Sequence, residues 1–540
     1  MATVLLVEDN PDQRVLRRLI LERAGHTVLD AANAPDALAS VRAGGVGCVL
    51  MDLGLPRAED GLGLIAELGA LDSGLPVVVL SGCAHELAAL RESGAVAATL
   101  SKPVRTERLL RTLERLTATF LLFLTCFVTT LSAQTREFAF QVRQRAEIVA
   151  DLVLDAPNAD WSKPGREASL ATLSVDGKTQ QNLMVFNGAR TYSVFLGALD
   201  AGPHTLKLER HATYSAAGAG LRAVDAKFRE STDDFIAHAP IVLARANTLG
   251  QFTDVPLLAY CTRGKDAAGA FLEYTVIFSN EDGGTSTRDL MARWGRTTDI
   301  EYIYRVWLNT AGTPVQTLIQ TKDHVDIPYS GTREGSHPVL MPITDNNMVA
   351  PAPLSGSPIR YQLAPVLAEL SGGSREMVMD RSPYTYRIAA EELEREGKLR
   401  PAGTFDGEKI SDPRNYLVVE FQTESKAAAV QILVRSRAEQ RWYGSANGLA
   451  KSHIERNGWA RTAIELPPGT KLADLTELGA QCLSLRDVSR QPTPKNGTCA
   501  IQELGRIFML GRDYVPLPPI APPAAGWQLR AGDMISVPLR

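Results

Sequence analysis

The chemistry this chain declares is carried by a few polar residues at the ends of short apolar runs. Glu8 and Asp9 close the run that begins at residue 2, Asp52 closes 48–52, Ser81 closes 76–81, and Lys102 follows 98–101. Carboxylates gathered without a partner repel one another and raise their pKa values. A hard divalent cation such as Mg²⁺ answers that repulsion, taking carboxylates, water and a phosphoryl oxygen as ligands. Asp52 is then the natural nucleophile, because a carboxylate can attack phosphorus and form a covalent acyl phosphate. The transferred group carries negative charge, which the cation and the Lys102 ammonium can stabilise. The Ser81 hydroxyl can donate to a phosphoryl oxygen. Each residue alone is ordinary turn or cap chemistry; the argument rests on their joint order.

The elements that must position them alternate regularly. Apolar runs at 2–8, 26–31, 48–52, 76–81 and 98–101 read as buried strands, separated by helical patterns at 11–25, 34–43, 61–71 and 85–94 and followed by one at 105–116. Pro11 opens the first helix and Gly25 closes it. Apolar strands alternating with helices predict a parallel sheet covered on both faces. Such sheets place function beyond the carboxyl ends of their strands, where these polar residues fall.

Residues 1–117 resemble the response-regulator receiver domain of two-component signalling. The matching motifs are VEDN at 7–10, MDLGLP at 51–56, Asp60-Gly61, Ser81-Gly82 and Lys102-Pro103. The resemblance implies a flavodoxin-like, doubly wound α/β fold. It makes Asp52 the phosphoacceptor and Glu8, Asp9 and Asp52 the Mg²⁺ ligands. Ser81 becomes the switch hydroxyl and Lys102 the phosphoryl contact. The implied partner is a histidine kinase or phosphotransfer protein in a phosphorelay. One departure stands out: three residues before the lysine, where the family has Tyr or Phe, this chain has Thr99.

Residues 118–133, ATFLLFLTCFVTTLSA, carry no charge and follow Arg105, Arg108, Arg111 and Arg115. Basic flank, apolar core and small-residue exit have the shape of a secretory signal, in an unusual mid-chain place. The stretch is somewhat short for a membrane span, which needs about 20 apolar residues. Three readings stand: a membrane anchor, the signal of a second protein joined by gene fusion or gene-model error, or a buried core helix. The first two put the receiver in the cytoplasm and the residues after 133 outside it or secreted.

Beyond this point the texture is β-rich, with short alternating runs between turns. The expected organisation is a β-sandwich over 134–235, a second β-rich domain over 236–390, and a third over 391–540 with a proline-rich tail. A helix over 387–399 reads as exposed and as a divider. Cys482 and Cys499 flank a turn-rich loop and are expected to form a disulfide, which requires an oxidising compartment. On the run 299–308, alternation puts Asp299, Glu301, Arg305 and Trp307 on one face. Two carboxylates beside a tryptophan suit a sugar site; an ordinary solvated sheet face is the plainer reading. Asp323, His324, Asp326, His337, Asp345 and Asn346 form a polar cluster without a recognised metal-ligand spacing.

Composition bounds the rest. A hydrophobic share of 45% and a charged share of 22% over 540 residues are those of a globular, multidomain protein. A net charge of -4, with no basic stripe interleaved with aromatics, gives no support for nucleic-acid binding. Back-half runs show no nucleophile-elbow or catalytic Cys/His pattern. The expected function is phosphoacceptor signalling joined to an extracytoplasmic β-rich region. The rival is a secreted or membrane-anchored protein that binds or acts on carbohydrate.

Overall fold

A computed structural model describes the chain except for residues 1–2, 44–45, 56–57, 72–74, 82–95, 103, 105, 107–108, 111, 114–134, 246–247, 282, 353–356, 405, 450–451, 486–496 and 540. The chain divides into two compact units, Met1–Ser132 and Ala133–Arg540. The expected helix over 85–94 and the apolar segment 118–133 lie outside the described residues. Among the described residues, no helix is long and apolar enough to cross a membrane.

The first unit is an α/β fold around five parallel strands: β1 (Thr3–Val7), β2 (Thr27–Ala31), β3 (Cys48–Asp52), β4 (Val77–Ser81) and β5 (Ala98–Ser101), in the order β2-β1-β3-β4-β5. Three helices precede β4: α1 (Pro11–Arg23), α2 (Ala34–Ala43) and α3 (Ala58–Leu71). Successive strand residues face opposite sides, so the sheet has two cores. Leu5, Val7, Val49, Met51 and Val79 pack with Leu38, Leu64 and Leu68 from α2 and α3. Val4, Leu6, Leu50, Val78 and Leu80 pack with Leu21 of α1 and with Leu109 and Leu113. The central strands are buried on both faces, which is why they read as unbroken apolar runs.

Local chemistry sets the ends of these elements. Asn10 caps α1, its side chain accepting from the Asp12 and Gln13 N–H groups at 3.1 Å each. Gly61 lies against the chain leaving β3. A Cβ there would sit 2.1 Å from the Leu53 carbonyl oxygen, so only glycine lets α3 approach that loop.

The second unit is rich in antiparallel sheets. Its first part has strands β6 (Arg136–Val142), β7 (Ala146–Asp155), β8 (Ser169–Val175), β9 (Lys178–Val185), β10 (Arg190–Leu199), β11 (Gly202–Arg210) and β12 (Arg222–Ser231). They form the sheets β10-β7-β12 and β6-β11-β8-β9, which face each other across one core. A six-stranded sheet around Asp299–Leu308 and a five-stranded mixed sheet follow, and two four-stranded sheets close the chain. Cys482 and Cys499 are joined in the core between that last pair, with Cα atoms 5.7 Å apart.

The helix Tyr384–Arg395 differs from its expected exposed character. Tyr386, Ile388, Ala389, Glu392 and Leu393 are all buried. Its charges misled the reading because they are spent on internal partners. Trp161 Nε1 donates to Glu392 Oε2 at 3.1 Å, and Arg395 donates to the Trp161 and Phe252 carbonyls at 2.9 and 2.6 Å. Ile388 belongs to the core of the first sheet pair. Tyr386 and Leu393 join a cluster with Tyr416 and Phe508 of the C-terminal strands. Residue 390, taken as a domain boundary, lies within this helix.

Two measurements test this packing. The disulfide closes a 17-residue separation, so replacing both cysteines by serine is expected to cost about 3 kcal/mol of stability, read from denaturant midpoints. Burial pushes the Glu392 carboxyl up to about 7, against the pull of Arg395. An acid raised on folding keeps its proton in the native state while the unfolded chain ionises. Its contribution is complete below the ordinary value of 4.5 and is lost as pH rises to about 7. Melting temperature should therefore fall less steeply over that window in Glu392→Gln than in the parent.

Candidate functional site

The parallel order of the first sheet brings the carboxyl ends of β1, β3 and β4 to one edge. Backbone pairing fixes their height: Glu8 N donates to Ala31 O at 3.0 Å, Leu53 N to Leu80 O at 2.9 Å, and Lys102 N to Ser81 O at 2.9 Å. Glu8, Asp52, Ser81 and Thr99 are buried there, whereas Asp9 is exposed. The Asp52 carboxylate accepts from Gly54 N–H at 3.3 Å through Oδ1, while Oδ2 pairs with the Lys102 ammonium.

A residue that sequence reasoning passed over completes the group. The guanidinium of Arg17 on α1 pairs with Glu8 through Nη1, which also lies 4.0 Å from Asp52 Oδ2. Burial pulls the Arg17 pKa below its ordinary value, with the Asp52 charge opposing. Arg17 and Leu21 are the buried residues of α1. Their i, i+4 spacing would have marked Arg17 as a cation on the core-facing stripe. The expected repulsion between carboxylates is thus met by two cations of the chain itself: Glu8 and Asp52 face Arg17 and Lys102.

The donors fit Mg²⁺ in kind, since Glu8, Asp9 and Asp52 offer hard oxygens at one strand edge. They do not form a ready cage. Among the described residues, no group of three or more His, Cys, Asp or Glu side chains is placed to hold a metal ion. Arg17 would have to leave Glu8 for a cation to take its place.

In the second unit, the structure does not bring Asp299, Glu301 and Trp307 together. Register shifts opposite Tyr274/Thr275, where Ile303 is an extra residue. This bulge turns the strand over. Trp307 falls on the face of Tyr302 and Arg305, whose guanidinium lies 4.8 Å from the Tyr302 ring and 5.5 Å from that of Trp307. Trp307 Nε1 donates to Asp266 Oδ1 at 2.9 Å. Asp299 is only 1% exposed, and its Oδ2 accepts from Asn347 Nδ2 at 3.0 Å. Burial, then the Glu301 charge, raises its pKa well above the carboxylate range, and burial also raises Glu301. The pair is interior, and the three residues do not share the one face that alternation predicted. The polar cluster disperses as well: His337 is buried against the Ala239 carbonyl at 2.8 Å, and Asp323 and Asp326 are exposed.

Comparison with known proteins bears on the first unit. The family model described as response regulator receiver domain matches residues 4–114. The protein PilH of Pseudomonas aeruginosa is 33% identical over 122 residues, covering 22% of this chain and 99% of PilH. The C4-dicarboxylate transport transcriptional regulatory protein DctD of Rhizobium meliloti is 39% identical over 80 residues. That match covers 15% of this chain and only 17% of DctD. A solved receiver domain protein from Clostridium thermocellum aligns with a TM-score of 0.22 at 20% identity, over 23% of this chain and 99% of that one. Through residues 4–114, this chain belongs to the response regulator receiver family.

Arg17→Ala tests the internal cation. Removing it strands a Glu8 side chain that is 2% exposed, which is expected to cost about 3 kcal/mol in EDTA. Mg²⁺ should raise the melting transition of the first unit more in the variant than in the parent.

Proposed function

We propose that the receiver acts as a phosphoacceptor in a phosphorelay, with Asp52 as the residue modified. The donor would be a histidine kinase or phosphotransfer protein, the kind of partner receiver domains have. The reading is carried by Asp52: a buried carboxylate at the end of β3, paired with Lys102 and held by the Gly54 N–H. An Asp52 oxygen attacks phosphorus, the bond from phosphorus to the donor's imidazole nitrogen breaks, and the imidazole takes up a proton. Lys102 then turns from the carboxylate to the phosphoryl oxygens, and Ser81 donates its hydroxyl to one of them.

Glu8, Asp9 and Asp52 would hold Mg²⁺, which when bound neutralises charge on the transferred group. Arg17 yields its place on Glu8 and remains near enough to Asp52 to act as a second cation. Because Thr99 carries no ring, transmission proceeds without the aromatic side-chain rotation usual in the family.

For the second unit, we propose a location outside the cytoplasm, delivered or anchored by residues 118–133. The Cys482–Cys499 bond supports this, since disulfides persist in oxidising compartments. The two β-sheets that enclose one core in its first part suit a β-sandwich of the kind common in extracellular proteins.

The test uses the full chain with labelled acetyl phosphate and Mg²⁺. The parent should acquire an acid-stable, base-labile label that Asp52→Asn abolishes while keeping its melting profile. An unlabelled parent, or equal labelling of the variant, would end the proposal.

A further inference from the structure

The second unit contains a cavity lined by two guanidiniums and one carboxylate. It has a volume of about 280 Å³ and is lined by Trp294, Ser374, Arg375, Glu376, Arg456 and Trp459. Trp294 ends the helix Thr287–Trp294, and Trp459 lies on the strand Gly458–Glu465. This is room for a single six-membered ring.

The carboxylates around the cavity are already engaged. Glu376 is paired with Arg296 at 3.3 Å. Asp380 pairs with Arg461 at 2.8 Å and also with Arg506. Glu420 accepts from Arg461 at 3.1 Å and from the Ser374 hydroxyl and N–H at 2.6 and 2.9 Å. Gly373 closes over Glu420, since a Cβ there would lie 3.1 Å from its Oε2.

Arg375 lies 4.0 Å from the already paired Glu376, and against burial the charges of Glu376, Glu301 and Asp299 raise its pKa. Arg456 has no carboxylate within ion-pair distance among the described residues. Its Nη2 reaches only the Arg461 carbonyl, at 3.5 Å, and its guanidinium lies 5.5 Å from the Trp294 ring. Burial, together with the neighbouring guanidiniums of Arg375, Arg293 and Arg296, pulls its pKa down to about 10 despite Glu376. Two guanidiniums facing one small cavity are suited to a carboxylate, which they can grip with paired N–H donors. Trp294 is covered by guanidinium groups, Arg293 at 4.5 Å as well as Arg456. Trp459 also lines the cavity; its ring packs against Gly505, where a Cβ would lie 3.0 Å from it, and it offers an aromatic wall against which a sugar ring can lie.

We propose that this cavity binds a carboxylate carried on a pyranose ring, as in a uronic acid residue. The carboxylate sits between Arg375 and Arg456, and the ring packs on Trp459. The site differs from the one expected at Asp299, Glu301 and Trp307, whose sharing of one face the strand bulge forbids, although the charges of Asp299 and Glu301 reach Arg375.

The experiment is calorimetric titration of the full chain with sodium glucuronate, glucose, benzoate and sulfate, with intrinsic tryptophan fluorescence as a second readout. Glucuronate should bind saturably and change the fluorescence, with glucose at least tenfold weaker. Arg456→Gln and Trp459→Ala should each weaken glucuronate at least tenfold with unchanged melting temperature, and Arg456→Lys should recover part of the loss. Saturable glucuronate binding unaffected by either variant would overturn the assignment of the site. Sulfate or benzoate binding as tightly as glucuronate would overturn the uronate reading in favour of a bare anion or an aromatic acid. Absence of saturable binding by glucuronate would overturn it outright.

Discussion

Two carboxylates at the ends of adjacent parallel strands cannot be buried together without positive charge between them. Glu8 and Asp52 are such a pair, and the layout of the first unit follows from that constraint. The sheet order puts β1 beside β3, so the two acids meet at one edge. The α1 helix must then present Arg17 inward, and the turn after β5 must deliver Lys102. A helix with an apolar residue at position 17 would pack more easily against the sheet, yet would leave Glu8 without a counterion. Burying an ion pair brings little net stability, whereas removing one partner is costly. Arg17 therefore secures the geometry of the edge more than it strengthens the fold.

The second unit solves a similar problem at larger scale. Arg461 is completely buried, and it is tolerable there only because Asp380, Glu420 and the Tyr386 hydroxyl surround it. These partners come from three places along the chain: the segment before the helix Tyr384–Arg395, the helix itself, and a C-terminal strand. The same helix sends Glu392 and Arg395 toward Trp161. It is a joint made of polar contacts set within apolar packing.

The α/β class of the first unit was legible because its strands are apolar on both faces and its helices carry clean caps. The all-β character of the remainder was legible from short runs and frequent turns. What escaped shares a physical cause. The bulge at Ile303 leaves no mark in DIEYIYRVWL, where alternation continues through the extra residue. Whether the faces switch is decided by the partner strand. Arg17 escaped because an arginine on a helix is usually solvated, and its burial depends on acids that lie nine and thirty-five positions away. The helix over 384–395 looked exposed for the same reason, since a charge pattern does not reveal whether its partners are water or distant side chains.

The hydrogen bond from Trp161 to Glu392 spans 231 positions, and that distance has a temporal meaning. As the chain emerges from the ribosome, the residues of the first pair of sheets are complete by Ser231. Its largest interior ring then has no acceptor for its N–H until the helix arrives. That helix in turn waits for Arg461 before Asp380 has its buried partner. The seam between the early strands and this helix therefore cannot close until residues far along the chain have been made. Contacts of such sequence separation slow folding and expose intermediates to aggregation. A chain that stops before the helix Tyr384–Arg395 lacks the acceptor for the Trp161 N–H, and one that stops before Arg461 leaves Asp380 without its buried partner.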